Sequence, residues 1–384
     1  MKKTTIVLLA AGLVLFMALF FVRGQTAMRD FEVNYTAGKR LRLAETLYRE
    51  ADGHYQFKYP PFSALLYLPL SFLPLASAKI IWFLVVLAAS FAVFRLSYGL
   101  VRPGPDMALL TGILPPLILA RFFLRELELG QINAVITCLL LLMAGGWMRA
   151  PADQARQCAH AAKTGALWAA ASALKPYAFI FFPYFLIKKS RRVLACGFAC
   201  LAAAFLLPSL YYGFPGNFVV HEEWIASLSK STPALYATQD NISFFALAAK
   251  WTGDTRLAPF LAGGLILLAA AGFLHLIAMG KGIVRAEVLE CAALLTLIPL
   301  VSPLGWDYTL LSSVPAVMIV VNRFPRLPAA WKTALIADGL VIALSYYDLM
   351  GRARYARFMS LSVVTVNFMI ILGALAYLRV KKMD

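Results

Sequence analysis

The chain has 384 residues, 61% of them hydrophobic and 14% charged, where a soluble domain carries about 25% charged residues. That balance excludes a soluble globular protein and leaves one integral membrane domain over residues 1–384, with no tail or loop long enough to fold separately. The net charge of +17 does not indicate nucleic acid, because the bases stand in short clusters between apolar runs, as loop residues of membrane proteins do.

The first apolar run, "TTIVLLAAGLVLFMALFFV" at 4–22, follows Lys2 and Lys3. It is longer than the 7–15 residues of a signal-peptide core, and "GQTA" at 24–27 is a poor cleavage site. The run reads as an uncleaved first helix with its N-terminus in the cytoplasm. Residues 23–60 then form the first extracytoplasmic loop. The segment 59–77 is apolar but broken by Pro60, Pro61, Pro69 and Pro74, which predicts an interfacial or partly inserted stretch rather than a straight span.

Further spans are expected at 78–96, 107–123 and 131–148, the last two joined by a polar turn, "RELELGQ", at 125–131. A cytoplasmic loop at 149–163 leads to 164–187, flanked on both sides by bases. That flanking predicts a hairpin of two short helices turning at Lys175–Pro176. The segment 193–211 runs outward to a second large extracytoplasmic loop at 212–257. Spans at 258–279, 286–304, 306–322, 332–347 and 359–378 complete the chain. This gives about ten full spans plus the hairpin, about 20 residues being the length that crosses a bilayer as a helix. Lysine and arginine are nearly balanced between the two sides, so the orientation rests on the dense clusters "MKK", "KKSRR" and "RVKK".

Cys138, Cys158, Cys196, Cys200 and Cys291 show neither a CxxC pair nor zinc-ligand spacing and read as small buried side chains. Asp338, inside "TALIADGLVIAL", reads as hydrogen-bonded to a neighbouring helix.

Polar groups at membrane depth are expensive and are usually functional or paired. Six polar features fall on one side of this topology: Asp30 with Glu32, "HYQFKYPP" (54–61), "GQIN" (130–133), "LKPY" (174–177), "DNISFF" (240–245) and "SPLGWDY" (302–308). Their convergence predicts one site at the lipid–water boundary. Singly, each has an ordinary structural use. Asp30 and Glu32 serve equally as solvated loop acids. The prolines break a helix whatever Lys58 does. Gln131, Asn133 and Asn241 suit helix caps, Lys175 suits a snorkelling helix end, and Trp306 and Tyr308 suit an interfacial belt.

Taken in order, "DFEVNY", "FKYPP" with "LPLSFLP" behind it, "GQIN", "ALKPY", "NISFF" and "SPLGWDY" resemble glycosyltransferase family 87 over roughly residues 28–310. The resemblance implies an all-α C-type glycosyltransferase fold and transfer of a sugar, mannose by default, from a polyprenyl-phosphate donor lipid to a hydroxyl of a glycolipid or glycan acceptor. The reaction would take place on the periplasmic or outer face of the bacterial inner membrane, among membrane lipids, without cofactor or metal. Asp30 takes the position of the general base, with Glu32 as a supporting acid. Lys58, His54 and Lys175 become candidates for holding the phosphate, which fits the excess of bases in the first loop. Tyr35, Tyr59, Gln131, Asn133, Asn241, Trp306 and Asp307 complete the binding set. One base and a stabilised leaving group suffice for inversion, whereas retention needs a second carboxylate at the sugar. The sequence departs from the family at Asp307-Tyr308, where a histidine often follows the tryptophan.

Two other classes were weighed. A lipid or sugar transporter explains broken helices and buried polar groups, but predicts internal repeats that the sequence does not show and does not account for polar motifs on one face. A ligase using a lipid pyrophosphate is expected to rely on Arg and His in a long late outer loop, and the late loops here are short.

Overall fold

The computed structural model describes residues 28–149 and 154–383. The expected first helix at 4–22 lies outside them. Among the described residues the chain is helical without strands, and Asn241 and Trp306 form an isolated antiparallel bridge.

Helix α1 (Arg29–Arg42) occupies the expected first outer loop. Helix α2 (Pro61–Tyr67) starts on the proline pair, where a missing N–H costs nothing. The long α3 (Leu75–Val101) begins directly after Pro74 and buries Ala78, Trp82, Val86, Ser90, Val93, Ser97 and Leu100, one stripe at helical spacing. Pro115 and Pro116 weaken α4 (Ala108–Ile118), which bends by 50° into α5 (Ala120–Leu129). Then come α6 (Asn133–Trp147), α7 (Gln154–Leu174), α8 (Phe181–Ile187) and α9 (Arg191–Leu206). Helix α9 turns by 95° into α10 (Ser209–Ser231), which fills the expected second outer loop. Helices α11 (Phe244–Thr252), α12 (Ala258–Met279), α13 (Ala286–Val301), α14 (Val314–Arg323), α15 (Ala329–Leu344), α16 (Tyr347–Met350), α17 (Arg352–Ser360) and α18 (Val363–Val380) follow.

Burial distinguishes the helices by role. Helix α13 buries every residue from Leu289 to Leu300, as a helix apolar all round does at the centre of a bundle. Helix α12 buries only Ala258, Ala262 and Leu276, and turns Phe260 (80% exposed) and Leu267 (72% exposed) outward. An apolar face of that extent belongs against lipid. Helices α7 and α9 cross where Gly165 meets Gly197. A Cβ on Gly165 would stand 2.5 Å from the Val193 carbonyl oxygen, and one on Gly197 would stand 2.5 Å from the Trp168 ring. Small residues of this kind let membrane helices approach closely.

At the end of the bundle away from Asn133, Arg379 and Glu290 are both fully buried. The Arg379 guanidinium donates to Glu290 Oε1 at 3.3 Å and to the Leu276 and Ala286 carbonyls at 2.9 and 2.7 Å. Glu290 Oε2 takes Lys188 Nζ and the Tyr184 hydroxyl, each at 2.7 Å. The Arg379–Glu290 pair thus ties α18, α12, α13 and α8 together.

The topology differs from expectation in several places. Three helices among the described residues are long and apolar enough to cross a membrane, or five if each bent pair counts as one span. The expected span at 131–148 is a shorter apolar helix, Asn133–Trp147. Residues 125–129 are not part of a turn: α5 continues to Leu129, burying Glu126 and Leu127. The expected loop at 149–163 is helical from Gln154, so the first arm of the predicted hairpin runs 21 residues, about 31 Å at 1.5 Å per residue. The break itself falls at Lys175, as the proline after it dictates. The segment 306–322 is not one span but a 3₁₀ stretch (Asp307–Ser313) leading into α14. Asp338 is buried, but its Oδ1 has no hydrogen-bond partner among the described residues. Cys158 is exposed rather than buried.

Candidate active site

The breaks that spoil straight spans place the polar motifs. Helix α5 ends in Gly130 at φ 67° and ψ 40°. A side chain there is disfavoured by the backbone, and a Cβ would lie 2.7 Å from that of Phe31. The Gly130 carbonyl accepts from the Trp82 indole at 2.8 Å, which fixes the turn. Gln131 leaves this turn pointing inward, and Asn133 opens α6. Lys175 is extended (φ −149°, ψ 118°) at the end of α7. The 54–59 loop is held by the Tyr48 hydroxyl donating to the Tyr59 carbonyl at 2.7 Å and by the Trp224 indole donating to the Lys58 carbonyl at 3.1 Å.

These elements surround a cavity of about 750 Å³. Asp30, His54, Lys58, Tyr59, Gln131, Lys175 and Trp306 all line it. Gln131 is its hub. Its amide nitrogen donates to Asp30 Oδ2 at 2.5 Å and to the Tyr308 hydroxyl at 3.1 Å. Its Oε1 accepts from the Tyr59 hydroxyl at 3.0 Å. Burial holds the Tyr59 phenol well above its usual range, so it remains a donor.

Burial also raises the Asp30 carboxyl above the ordinary aspartate range. The Gln131 hydrogen bond and the charges of Lys175, Arg125 and His54 oppose that shift without cancelling it. Burial alone lowers the Lys58 ammonium. Lys175 is buried, with Nζ donating to Asn133 Oδ1 at 2.8 Å and lying 4.9 Å from the Tyr59 ring centre and 5.5 Å from that of Tyr177. The two ring faces steady a cation whose remaining donors stay available to the cavity.

The other expected site residues sit elsewhere. Asn133 is buried beneath the cavity and is occupied by Glu126, Lys175 and Tyr177. Glu32 pairs with Lys79 at 2.6 Å and Arg29 at 3.5 Å, and lines a separate cavity of about 230 Å³. Tyr35 donates to the Leu73 carbonyl at 2.8 Å, away from the site. Asn241 spends its amide on the carbonyls of Leu235, Tyr236 and Pro303 and on the N–H groups of Ser243 and Gly305. It therefore clamps the 302–306 loop against the 235–243 loop. Asp307 is turned behind the cavity wall, held by Arg121 at 2.8 Å and by its neighbour's N–H at 2.8 Å. Tyr308, beside it, faces the cavity instead.

Arg125, Asp240, Tyr308 and Asn34 also line the cavity, although none of them is among the expected site residues. Arg125 has a legible signal: it stands four residues before Leu129, and both share the cavity face once α5 is known to be a helix. Arg125 pairs with Glu128 at 3.0 Å and lies 3.7 Å from Asp240. Burial and the charge of Asp307 raise the Asp240 carboxyl. Among the described residues no three His, Cys, Asp or Glu side chains gather into a metal-binding group.

The arrangement gathers a carboxylate and several cations around one cavity in an apolar bundle. A family model for glycosyltransferase family 87 matches residues 57–303. No curated protein matches the chain. Two solved structures of ArnT from Cupriavidus metallidurans are similar over 99% of this chain and 78% of theirs. The one bound to undecaprenyl phosphate is 15% identical with a TM-score of 0.47, and the apo form is 14% identical with a TM-score of 0.43. The family match takes in the Lys58, Gln131 and Lys175 motifs and most of the bundle, and the helical architecture agrees with the C-type fold that the family implies. The chain belongs to glycosyltransferase family 87.

Proposed function

We propose that this glycosyltransferase inverts configuration. It moves a sugar, mannose by family default, from a polyprenyl phosphate to a hydroxyl of a glycolipid or glycan acceptor at the extracytoplasmic face of the bacterial inner membrane. The observation that carries the reading is the cavity of about 750 Å³ that has Asp30 on one wall and Lys58, Lys175 and Arg125 on others.

The chemistry follows from that layout. The acceptor oxygen bonds to the anomeric carbon while its proton passes to an Asp30 oxygen. The bond from that carbon to the phosphate oxygen breaks, and its electron pair leaves with the polyprenyl phosphate. A carboxylate whose proton affinity is raised by burial is the better base at neutral pH. The leaving phosphate gains charge as the bond breaks, and cations already fixed in a dry cavity stabilise that charge without reorganising. Lys58 and Lys175 are assigned to this task, joined by Arg125. Tyr59, Gln131 and Tyr308 keep Asp30 oriented, and the Trp306 ring offers a face to a sugar.

The test is transfer from undecaprenyl-phosphate mannose to alkyl glycosides, with the anomeric configuration of the product read by NMR. A product of inverted configuration, absent when Asp30 is replaced by asparagine, supports the reading. Retained configuration sinks it and moves attention to Asp240 as a nucleophile.

A further inference from the structure

Helix α1 presents Asp30, Val33 and Asn34 to the cavity. Asn34 is 1% exposed, yet neither its Oδ1 nor its Nδ2 has a hydrogen-bond partner among the described residues. Its polar neighbours in the wall are different: Asp30, Tyr59, Gln131 and Lys175 are all bonded. Buried amides in native proteins are paired, and one left open beside a cavity calls for a ligand. A leucine would fill the same volume without desolvating a polar group.

The position narrows what that ligand is. Residues four apart on a helix are neighbours on one face, about 6 Å between Cβ atoms, so one sugar ring can touch both Asp30 and Asn34. No base of α1 faces this cavity: Arg29 and Arg40 line the separate smaller one. The cavity's cations Lys58, Arg125 and Lys175 come from other elements. The α1 wall therefore offers the acceptor a base and an amide, and the other elements offer the phosphate its cations.

We propose that Asn34 contacts the acceptor and takes up a second hydroxyl beside the one that Asp30 deprotonates, so that the enzyme selects a polyol ring over a lone alcohol. The inference rests on the transfer reading with Asp30 as base. An amide matches a hydroxyl well, because its C=O accepts and its NH₂ donates while a hydroxyl does both. An isolated serine-like hydroxyl can satisfy Asp30 but leaves Asn34 unbonded.

The experiment uses the full-length enzyme with undecaprenyl-phosphate mannose as donor. The acceptors are octyl α-mannoside, its mono-deoxy analogues and octanol. Wild type is expected to lose about tenfold or more in kcat/KM with one mono-deoxy analogue and to use octanol poorly. Asn34→Leu is expected to lose a similar factor on the parent glycoside and less than about threefold further on that analogue, the non-additivity of two partners in one contact. Its ligand-free thermal midpoint should stay level or rise, which a purely structural asparagine does not allow.

Losses that multiply, full kcat/KM in Asn34→Leu, or wild-type transfer to octanol as readily as to glycosides overturn the inference while leaving the transfer reading intact. A lowered midpoint with unchanged acceptor discrimination also overturns it, since Asn34 would then serve only the fold. Wild type that transfers to none of these acceptors overturns the transfer reading, and this inference with it.

Discussion

Gln131 Nε2 donates to Asp30 Oδ2 at 2.5 Å across 101 residues of sequence. The same amide is fixed by two phenols, Tyr59 on its oxygen and Tyr308 on its nitrogen. An amide flip would put its carbonyl against the carboxylate, so the carboxylate sets the amide's orientation and the two tyrosines hold it in place. The candidate base is therefore aimed by groups from three distant parts of the chain.

Asp30→Asn should lower transfer by about 10²–10⁴-fold, the range for losing a positioned general base, with expression and chromatographic behaviour unchanged. Full activity in labelled-mannose transfer would remove Asp30 from the base role. Exchange to glutamate, which keeps the carboxylate but moves it, should recover part of the rate.

The acid limb of the kcat/KM profile should sit above the ordinary aspartate value of about 3.9, because burial raises the Asp30 carboxyl. Activity should fall as pH drops through that raised value. The stability sign is opposite. Between the unfolded and folded pKa values the native state holds the extra proton, so Asp30 costs stability as pH rises through that window. At neutral pH, thermal melts of Asp30→Asn should thus be at or above wild type. A melt that falls well below wild type would show that the charged carboxylate stabilises the fold.

Gln131→Leu should reduce kcat by about 10–100-fold with a smaller change in KM, since it misaims the base rather than removing it. Loss of the amide donor should also move the acid limb to higher pH, because a hydrogen bond to the charged form is gone. An unshifted limb with normal kcat would leave Gln131 a packing residue.

Lys58→Ala should weaken donor binding by about tenfold or more while leaving the melt near wild type, the loss expected for one charge-assisted contact to phosphate. The Lys58 ammonium is lowered from the usual lysine range by burial. Wild-type donor affinity should therefore decline at a pH below the usual lysine value of about 10.4. Binding measured with undecaprenyl phosphate by native mass spectrometry checks both. Unchanged affinity would reassign the phosphate to Lys175 and Arg125.

Arg379→Leu should destabilise the fold by about 3–5 kcal/mol, the cost of breaking a buried ion pair from one side. Arg379→Leu with Glu290→Leu should recover part of that loss, since neither charge is then stranded. Thermal melts in detergent read both, and a single variant as stable as wild type would show the pair to be dispensable.

The Lys58 loop, Gly130-Gln131 and Lys175-Pro176 are legible because each couples a polar residue to a backbone break, and breaks leave sequence marks; Asp30 is legible only through the family resemblance. Helix extents were less legible. Gln154–Lys163 looks like a loop by polarity yet continues α7, and "RELEL" carries charges that hide an amphipathic turn of α5. Asn133, Asn241 and Asp307 were expected to bind substrate and instead bind backbone and neighbouring side chains. An amide or carboxylate reads the same in sequence whichever it does, and only its surroundings separate the two. Asn34 is hard to read for the converse reason: within "DFEVNY" an asparagine carries no mark of the cavity it faces.

The Arg379–Glu290 contact joins residues 89 apart, and that spacing sets an order of events during synthesis. At about 5–20 residues per second, Glu290 is made several seconds before its guanidinium partner. Until then Lys188 and Tyr184 occupy one carboxylate oxygen and the other waits. A chain cut short before α18 would keep that half-answered charge at the heart of its bundle. Helix α18 thus completes a charge pairing that the rest of the bundle leaves half made.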